Sequence, residues 1–184
     1  MKKIFLLLAL FSFLAFSADA QRDETIFGKT GIRLTGAWGG YMHNISSFQN
    51  DFSISRNGFF LLELNKKVLI GWDGLNAQFP FDGSNVNLNS SGLSLGYSPI
   101  AHKPFHPVFN VYAGRGRISD ESISDNIQVY QPSVTLELNV FRWMKIGLDG
   151  GYRFVYESNL NGISDQDLSG PYAGLKLKFG WSWN

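Results

Sequence analysis

From Ala173 to Trp183 the chain alternates strictly. Ala173, Leu175, Leu177, Phe179, Trp181 and Trp183 stand at one parity, and Gly174, Lys176, Lys178 and Gly180 at the other. Successive side chains of a β-strand point to opposite faces, whereas a helix repeats every 3.6 residues. This stretch therefore reads as a strand with one apolar face and one small or charged face. The rhythm recurs upstream. Val134, Leu136 and Leu138 alternate with Ser133, Thr135, Glu137 and Asn139, and Ile146 and Leu148 oppose Lys145, Asp149 and Arg153. Leu93, Leu95 and Tyr97 alternate with Gly92, Ser94 and Gly96, and Phe109, Val111 and Ala113 with Asn110, Tyr112 and Gly114. Phe60, Leu62 and Leu64 keep one phase, as do Val68, Ile70 and Trp72. In the first segment Ile32, Leu34 and Trp38 read as one face and Arg33, Thr35 and Gly39 as the other. The pattern predicts eight strands, near 30–41, 52–64, 68–77, 91–98, 106–117, 127–139, 143–156 and 171–183.

The first twenty residues carry a different signal. Lys2 and Lys3 precede an apolar run from Ile4 to Phe16, and Ala18-Asp19-Ala20 places small residues where a signal peptidase reads them. This is the pattern of a secretory leader, with cleavage expected before Gln21 and residues 21–184 as one mature domain. The run is shorter than the roughly 20 residues of a spanning helix. No other long apolar helix is evident in the sequence, so crossing a membrane would require a closed barrel, because lipid cannot satisfy free backbone groups. The chain holds 16 basic and 15 acidic residues; two and one of these lie in the leader, leaving 14 of each. A neutral mature chain argues against nucleic acid as a partner. There is no cysteine, so an exported fold here does without disulfides.

The connections alternate in length. Tight ones are expected at Asn65-Lys66-Lys67 and Val140-Phe141-Arg142, an intermediate one from Pro99 to Phe105, and long polar loops at 42–51, 78–90, 118–126 and 157–170. Short turns at one end and long loops at the other is the arrangement of outer-membrane barrels, whose short turns and termini face the periplasm. A soluble lipocalin-like barrel has the same strand count but turns its apolar face inward. Abundant glycine and small polar residues opposite the apolar face fit a narrow lumen better than a solvated exterior. The expected fold is thus an all-β, eight-stranded, antiparallel up-and-down transmembrane barrel in the outer membrane.

The C-terminal half resembles a known group. Gln131-Pro132, Leu136-Glu137-Leu138-Asn139-Val140, Arg142-Trp143, Gly151-Tyr152-Arg153-Phe154-Val155, Ile163-Ser164-Asp165, Asp167-Leu168-Ser169-Gly170 and Leu175-Lys176-Leu177-Lys178-Phe179-Gly180 carry the likeness. It is to the small outer-membrane β-barrel proteins of Bacteroidetes-type bacteria. Phe179, Trp181 and Trp183 also resemble the C-terminal signal read by the barrel-assembly machinery, although Asn184 follows the last aromatic. The resemblance implies location and fold, with outer-membrane lipid and that machinery as partners, and brings no catalytic residue.

Leu136, Leu138, Leu175, Leu177 and Phe179 are expected to face lipid. Glu137, Lys145, Asp149, Arg153, Lys176 and Lys178 share the opposite face of three consecutive strands and are expected to form a charge network in the lumen. Buried charge requires partners, and centring the 140–142 turn on Phe141 sets Glu137 opposite Lys145. His43, Ser46 and Glu157 could be drafted into a lipid-A deacylase-like set, though nothing fixes their spacing. His102 and His106 read as turn residues rather than metal ligands, and Asn161, Asp165 and Asp167 as a solvated loop rather than a calcium site. No catalytic, cofactor or metal site is expected. The function expected is a structural or surface-interacting barrel with a charged, filled lumen and four extracellular loops. A small-molecule or lipid-binding barrel and a lipid-A-modifying enzyme are the alternatives.

Overall fold

The computed structural model describes residues 31–48, 51–81, 84–119, 124–158 and 164–183. The leader and its cleavage point lie outside these residues. Eight strands follow in order: β1 (Leu34–Phe48), β2 (Asp51–Leu64), β3 (Val68–Phe81), β4 (Ser84–Tyr97), β5 (Phe105–Ser119), β6 (Ser124–Phe141), β7 (Met144–Tyr156) and β8 (Gly170–Ser182). Each pairs antiparallel with its neighbour, and β1 pairs with β8 from Gly36↔Ser182 to Ser46↔Tyr172, so the barrel closes.

The registers fix its shape. Stepping across the sheet from Pro107 through Leu136, Leu148, Leu175, His43, Arg56, Asn76 and Asn89 returns to β5 at Arg117. The return point lies ten residues further along the same strand. A stagger of ten on eight strands requires a tilt of about 40°. Each residue then climbs about 2.5 Å along the axis, and each sideways step about 3 Å. At the seam, the Trp183 backbone N–H donates to the Thr35 carbonyl at 2.7 Å, and its indole N–H to the Leu34 carbonyl at 3.0 Å.

Two expectations are corrected. Trp38 was assigned to the outer face with Leu34, but Leu34 is 48% exposed and Trp38 only 1%. The register shifts between Leu34 and Gly36: Leu34 faces Leu64 and Gly36 faces Glu63, leaving Thr35 as an extra residue. A bulge of this kind inverts the parity of everything beyond it, so Trp38 enters the lumen. The long loops are the second correction. The stretches 42–51, 78–90 and 118–126 are mostly strand, paired as far as Phe48↔Asp51, Phe81↔Ser84 and Ser119↔Ser124. By the strand bounds the β7–β8 connection is long; among its described residues is a short helix α1 (Asp165–Leu168).

The extended strands show an inversion of alternation. Near the turns, apolar side chains point out: Leu93, Leu95, Val111, Leu136, Leu138, Leu148, Leu175 and Phe179 are exposed, and Leu177 is half-buried on the same face. Towards the tips of β3 to β6 they point in, whereas on β1 and β2 Ile45, Phe52 and Ile54 stay outward and Asn44, Ser46, Ser53 and Ser55 inward. Leu75, Ala77, Phe79, Val86, Leu88, Ile118, Ile127, Val129 and Val155 are buried together, while Asn76, Gln78, Asn89, Arg117 and Asn126 are exposed. The lower barrel therefore has the face polarity of a lipid-facing sheet, and the upper part of β3 to β6 that of a water-facing one. Outward aromatics bound the apolar belt. Phe141, Trp143 and Phe179 stack at the turn end, and Tyr130, Tyr152, Phe154 and Tyr156 cluster at the other. From Trp143 to Tyr152 the wall rises about 23 Å, close to the roughly 25 Å apolar band of membrane barrels.

Arginine at Leu148, near the middle of the belt, should destabilise the barrel by about 2–4 kcal/mol, and arginine at Phe52, above the belt, by about 0–1 kcal/mol. Urea titration of refolding in bilayers measures both; equal penalties would contradict this boundary.

Candidate functional site in the barrel lumen

The lumen is built in three tiers. At the turn end, β5, β6, β7 and β8 each send one charged or titratable group inward. Lys178 Nζ lies 2.6 Å from Glu137 Oε1, and Lys145 Nζ 3.9 Å from Glu137 Oε2. His106 Nε2 is 3.5 Å from the same carboxylate, while its Nδ1 sits 2.9 Å from the Lys103 carbonyl. All four side chains are buried. Beside them Glu63 accepts hydrogen bonds from Trp38 Nε1 at 3.1 Å, Thr35 Oγ1 at 3.1 Å and Ser182 Oγ at 2.6 Å. One carboxylate thereby ties β1, β2 and the end of β8 together. The Trp38 ring lies under Lys145 Nζ at 4.4 Å and Lys178 Nζ at 5.7 Å, and the Phe59 ring under Lys176 Nζ at 4.7 Å. Aromatic faces attract cations most strongly where water is excluded.

The expected Glu137–Lys145 cross-strand pair is corrected by the register. β6 runs on to Phe141, the turn is Arg142-Trp143, and an irregularity falls between Asn139 and Phe141. Lys145 therefore faces Asn139, and Glu137 faces Gly147. Parity is kept, so both groups stay in the lumen, but Glu137 reaches past Gly147 to β8. A side chain at 147 would come within 2.5 Å of the Thr135 methyl and 3.5 Å of Glu137 Cγ. Glycine leaves the carboxylate room to cross.

The middle tier is polar. Asp149 Oδ1 accepts from the hydroxyls of Thr135 and, at 3.3 Å, Ser133. Asn57 donates to Asp73 at 3.5 Å. Arg153 spans the lumen from β7 to β2, where its Nη2 donates to Ser55 Oγ at 3.0 Å, and its guanidinium lies about 6 Å from the Phe79 and Tyr172 rings. Among the described residues no carboxylate forms an ion pair with Arg153, so it does not join the expected charge network as an ion pair. The top tier is the apolar cluster already described, joined by Leu168 from α1.

α1 is held in place by its own caps. Ser164 Oγ accepts from the Asp167 N–H, and the Asp167 carboxylate accepts from the Ser164 N–H at 2.9 Å and its hydroxyl at 2.7 Å. These bonds hold the Asp167 carboxyl below the usual carboxylate range. Asp165 accepts from the N–H groups of Glu157 and Ser158 at 3.2 and 2.8 Å. Asn161 lies outside the described residues.

The drafted hydrolase set does not assemble. His43 points outward and Ser46 is buried in the lumen, on opposite faces of β1, while Glu157 Oε1 accepts from Gln128 Nε2 at 2.7 Å. Three lumen groups lie beyond the sequence expectations, among them His106, expected as a turn residue but placed inward on β5. Glu63 and Asp73 flank the outward residues Leu62 and Trp72, and His106 shares the parity of Tyr112; alternation alone marks all three as inward. Below the ionic tier a vestibule of about 1040 Å³ opens at the turn end, with Lys66, Lys67, His102 and Arg142 on its wall.

Replacing Glu137 by Gln or Lys178 by Met should each destabilise the barrel by about 3–5 kcal/mol, because each leaves a buried charge without its partner. Urea-unfolding double-mutant cycles should give a larger coupling for Glu137–Lys178 than for Glu137–Lys145. The reverse order would mean that the contact at 2.6 Å is not the principal one.

No family model and no curated protein matches the sequence. Among solved structures the chain is similar to Neisserial surface protein A, with 14% identity and a TM-score of 0.55 over 83% of this chain and 99% of that one. It is also similar to the N-terminal β-barrel domain of Pseudomonas aeruginosa OprF, with 12% identity and a TM-score of 0.54 over 80% of this chain and 98% of that one. At these identities the likeness is one of fold: a closed, eight-stranded, antiparallel barrel of the kind found in the outer membrane.

Proposed function

We propose that the chain is a non-enzymatic outer-membrane barrel with its turns and termini in the periplasm, a lumen closed to ions, and rigid hairpins that present an interaction surface outside the cell. In this reading it would join the small barrels of Bacteroidetes-type bacteria that its C-terminal half resembles. The observation that carries the reading is the face polarity: apolar out over a belt about as tall as a bilayer core, inverting to apolar in above it on β3 to β6. Closure to ions is supported by the ionic tier and the apolar tier in series, since an eight-stranded barrel is just wide enough for its own side chains. The Phe179, Trp181 and Trp183 stretch would serve insertion, as the strand that closes the ring and the segment offered to the assembly machinery.

Three measurements test this reading. Cell fractionation should place the protein in the outer membrane, and the folded form should migrate faster than the boiled form on gels. Planar-bilayer recordings of the refolded protein should show no stepwise conductance; regular unitary steps would overturn the closed lumen. Deleting Trp181 to Asn184 should abolish the heat-modifiable form in cells, because it removes the Ser182–Glu63 and Trp183–Thr35 bonds at the seam. Normal insertion of the truncated chain would show that closure does not depend on this stretch.

A further inference from the structure

The apolar belt is not level around the wall. On β6, β7 and β8 it climbs to Tyr130, Tyr152 and Ala173, but on β1 to β3 it is interrupted lower, where the outward positions are His43, Arg56, Gly58 and Gly74, before Ile45 and Ile54 resume it on β1 and β2. Arg56, Asn76, Asn89 and Arg117 are successive cross-strand partners on β2 to β5. One row nearer the turns, Gly58, Gly74, Ser91 and Arg115 are partners in the same way. The two rows line an open groove of about 510 Å³ that is edged by Tyr41 and contains three guanidinium groups and no carboxylate. Among the described residues none of the three arginines forms an ion pair. The side-chain amides of Asn76 and Asn89 hydrogen-bond each other between the two basic poles.

The groove does not result from crowding. A Cβ added at Gly58 would meet nothing within 4 Å, and one at Gly74 would come no nearer than 3.8 Å to the Gly58 carbonyl. Larger residues would fit there and would raise strand propensity. Its height is informative. Arg56 stands about level with Tyr152 of the upper girdle, and Arg115 and Arg117 about 4 and 9 Å above that. A guanidinium at the edge of an apolar belt is stable where it meets a compensating anion. A second copy packed on this face would bring arginine against arginine, so the charge favours an anionic occupant.

We propose that this groove docks a bis-phosphorylated glycolipid of the surrounding leaflet. One phosphate meets Arg56 and the other meets Arg115 and Arg117. The poles are about 14 Å apart, three strand spacings, too far for one phosphate to bridge. Hydroxyls of the headgroup face the Asn76–Asn89 amides, and the acyl chains lie on Phe60, Trp72 and Leu93 below. This rests on the reading that the belt lies in a bilayer.

The test refolds the full mature chain into phosphatidylcholine vesicles doped with bisphosphoryl or monophosphoryl lipid A, and counts retained lipid by native mass spectrometry. Heat-modifiable mobility reports insertion separately. Each phosphate should raise retention about fivefold. R56Q, and R115Q with R117Q, should each erase one step, and G58L with G74L should erase both by filling the groove, all with unchanged mobility. Retention indifferent to phosphate number or to these substitutions, in normally inserted protein, would overturn the lipid groove alone. A doubled mass, abolished by G58L with G74L, would assign the face to self-association instead. Failure of the parent chain to insert would overturn both this proposal and the membrane reading.

Discussion

A strand in an apolar surround has nowhere to place its N–H and C=O groups except on another strand, and the last strand must find the first. In this chain that requirement falls on the β1–β8 seam. Trp183 adds to it by bonding the backbone at the Thr35 bulge, and Ser182 by bonding Glu63 on β2, the strand beyond β1. The lumen chemistry follows from closure. Lys176 and Lys178 are carried on β8 and Glu137 on β6, and they meet in a water-poor interior only because the ring is complete. In an open sheet the same side chains would be solvated and their pairing would be weak.

Closure also explains why the lower lumen can hold so much charge. A buried ion pair gains little over a well-packed apolar pair, but losing one partner is severe. Glu137 gathers two lysines and an imidazole, while Trp38 and Phe59 offer their ring faces to the lysines. The arrangement distributes cations around one carboxylate and two rings rather than matching charges one to one. Higher up Phe79, Val86, Leu88 and Ile127 fill much of the space, and the buried Arg153 guanidinium is met by the Ser55 hydroxyl and by the Phe79 and Tyr172 rings.

Much of this was legible in the sequence wherever alternation held its phase. The outward Leu136, Leu138, Leu175 and Phe179 and the inward Glu137, Lys145, Asp149, Arg153, Lys176 and Lys178 all follow from parity alone. What was not legible lies where parity breaks. Thr35 adds one residue and turns Trp38 inward; the irregularity after Asn139 moves Lys145 from Glu137 to Asn139. The upper strands were read as loops for a related reason. Between Leu88 and Leu93 the apolar positions of β4 change parity, because the environment outside the wall changes while the strand continues. A reader of alternation sees the rhythm fail there and infers an end, although Val86 and Leu88 keep the beat on the opposite face.

The inversion has a consequence for whatever meets the outer end of the molecule. A barrel topped by long loops would have to freeze them on contact, at an entropic cost that grows with each ordered residue. Here β1–β2, β3–β4 and β5–β6 remain hydrogen-bonded β-ribbon well beyond the apolar belt, and the latter two share a packed apolar interior. A partner would meet a preshaped rim, and its selectivity would rest on fixed contours and exposed amide and guanidinium groups rather than on induced folding. Such a rim also tolerates exchange of residues at its crest without disturbing the ionic base, which lets recognition diversify while the wall stays constant.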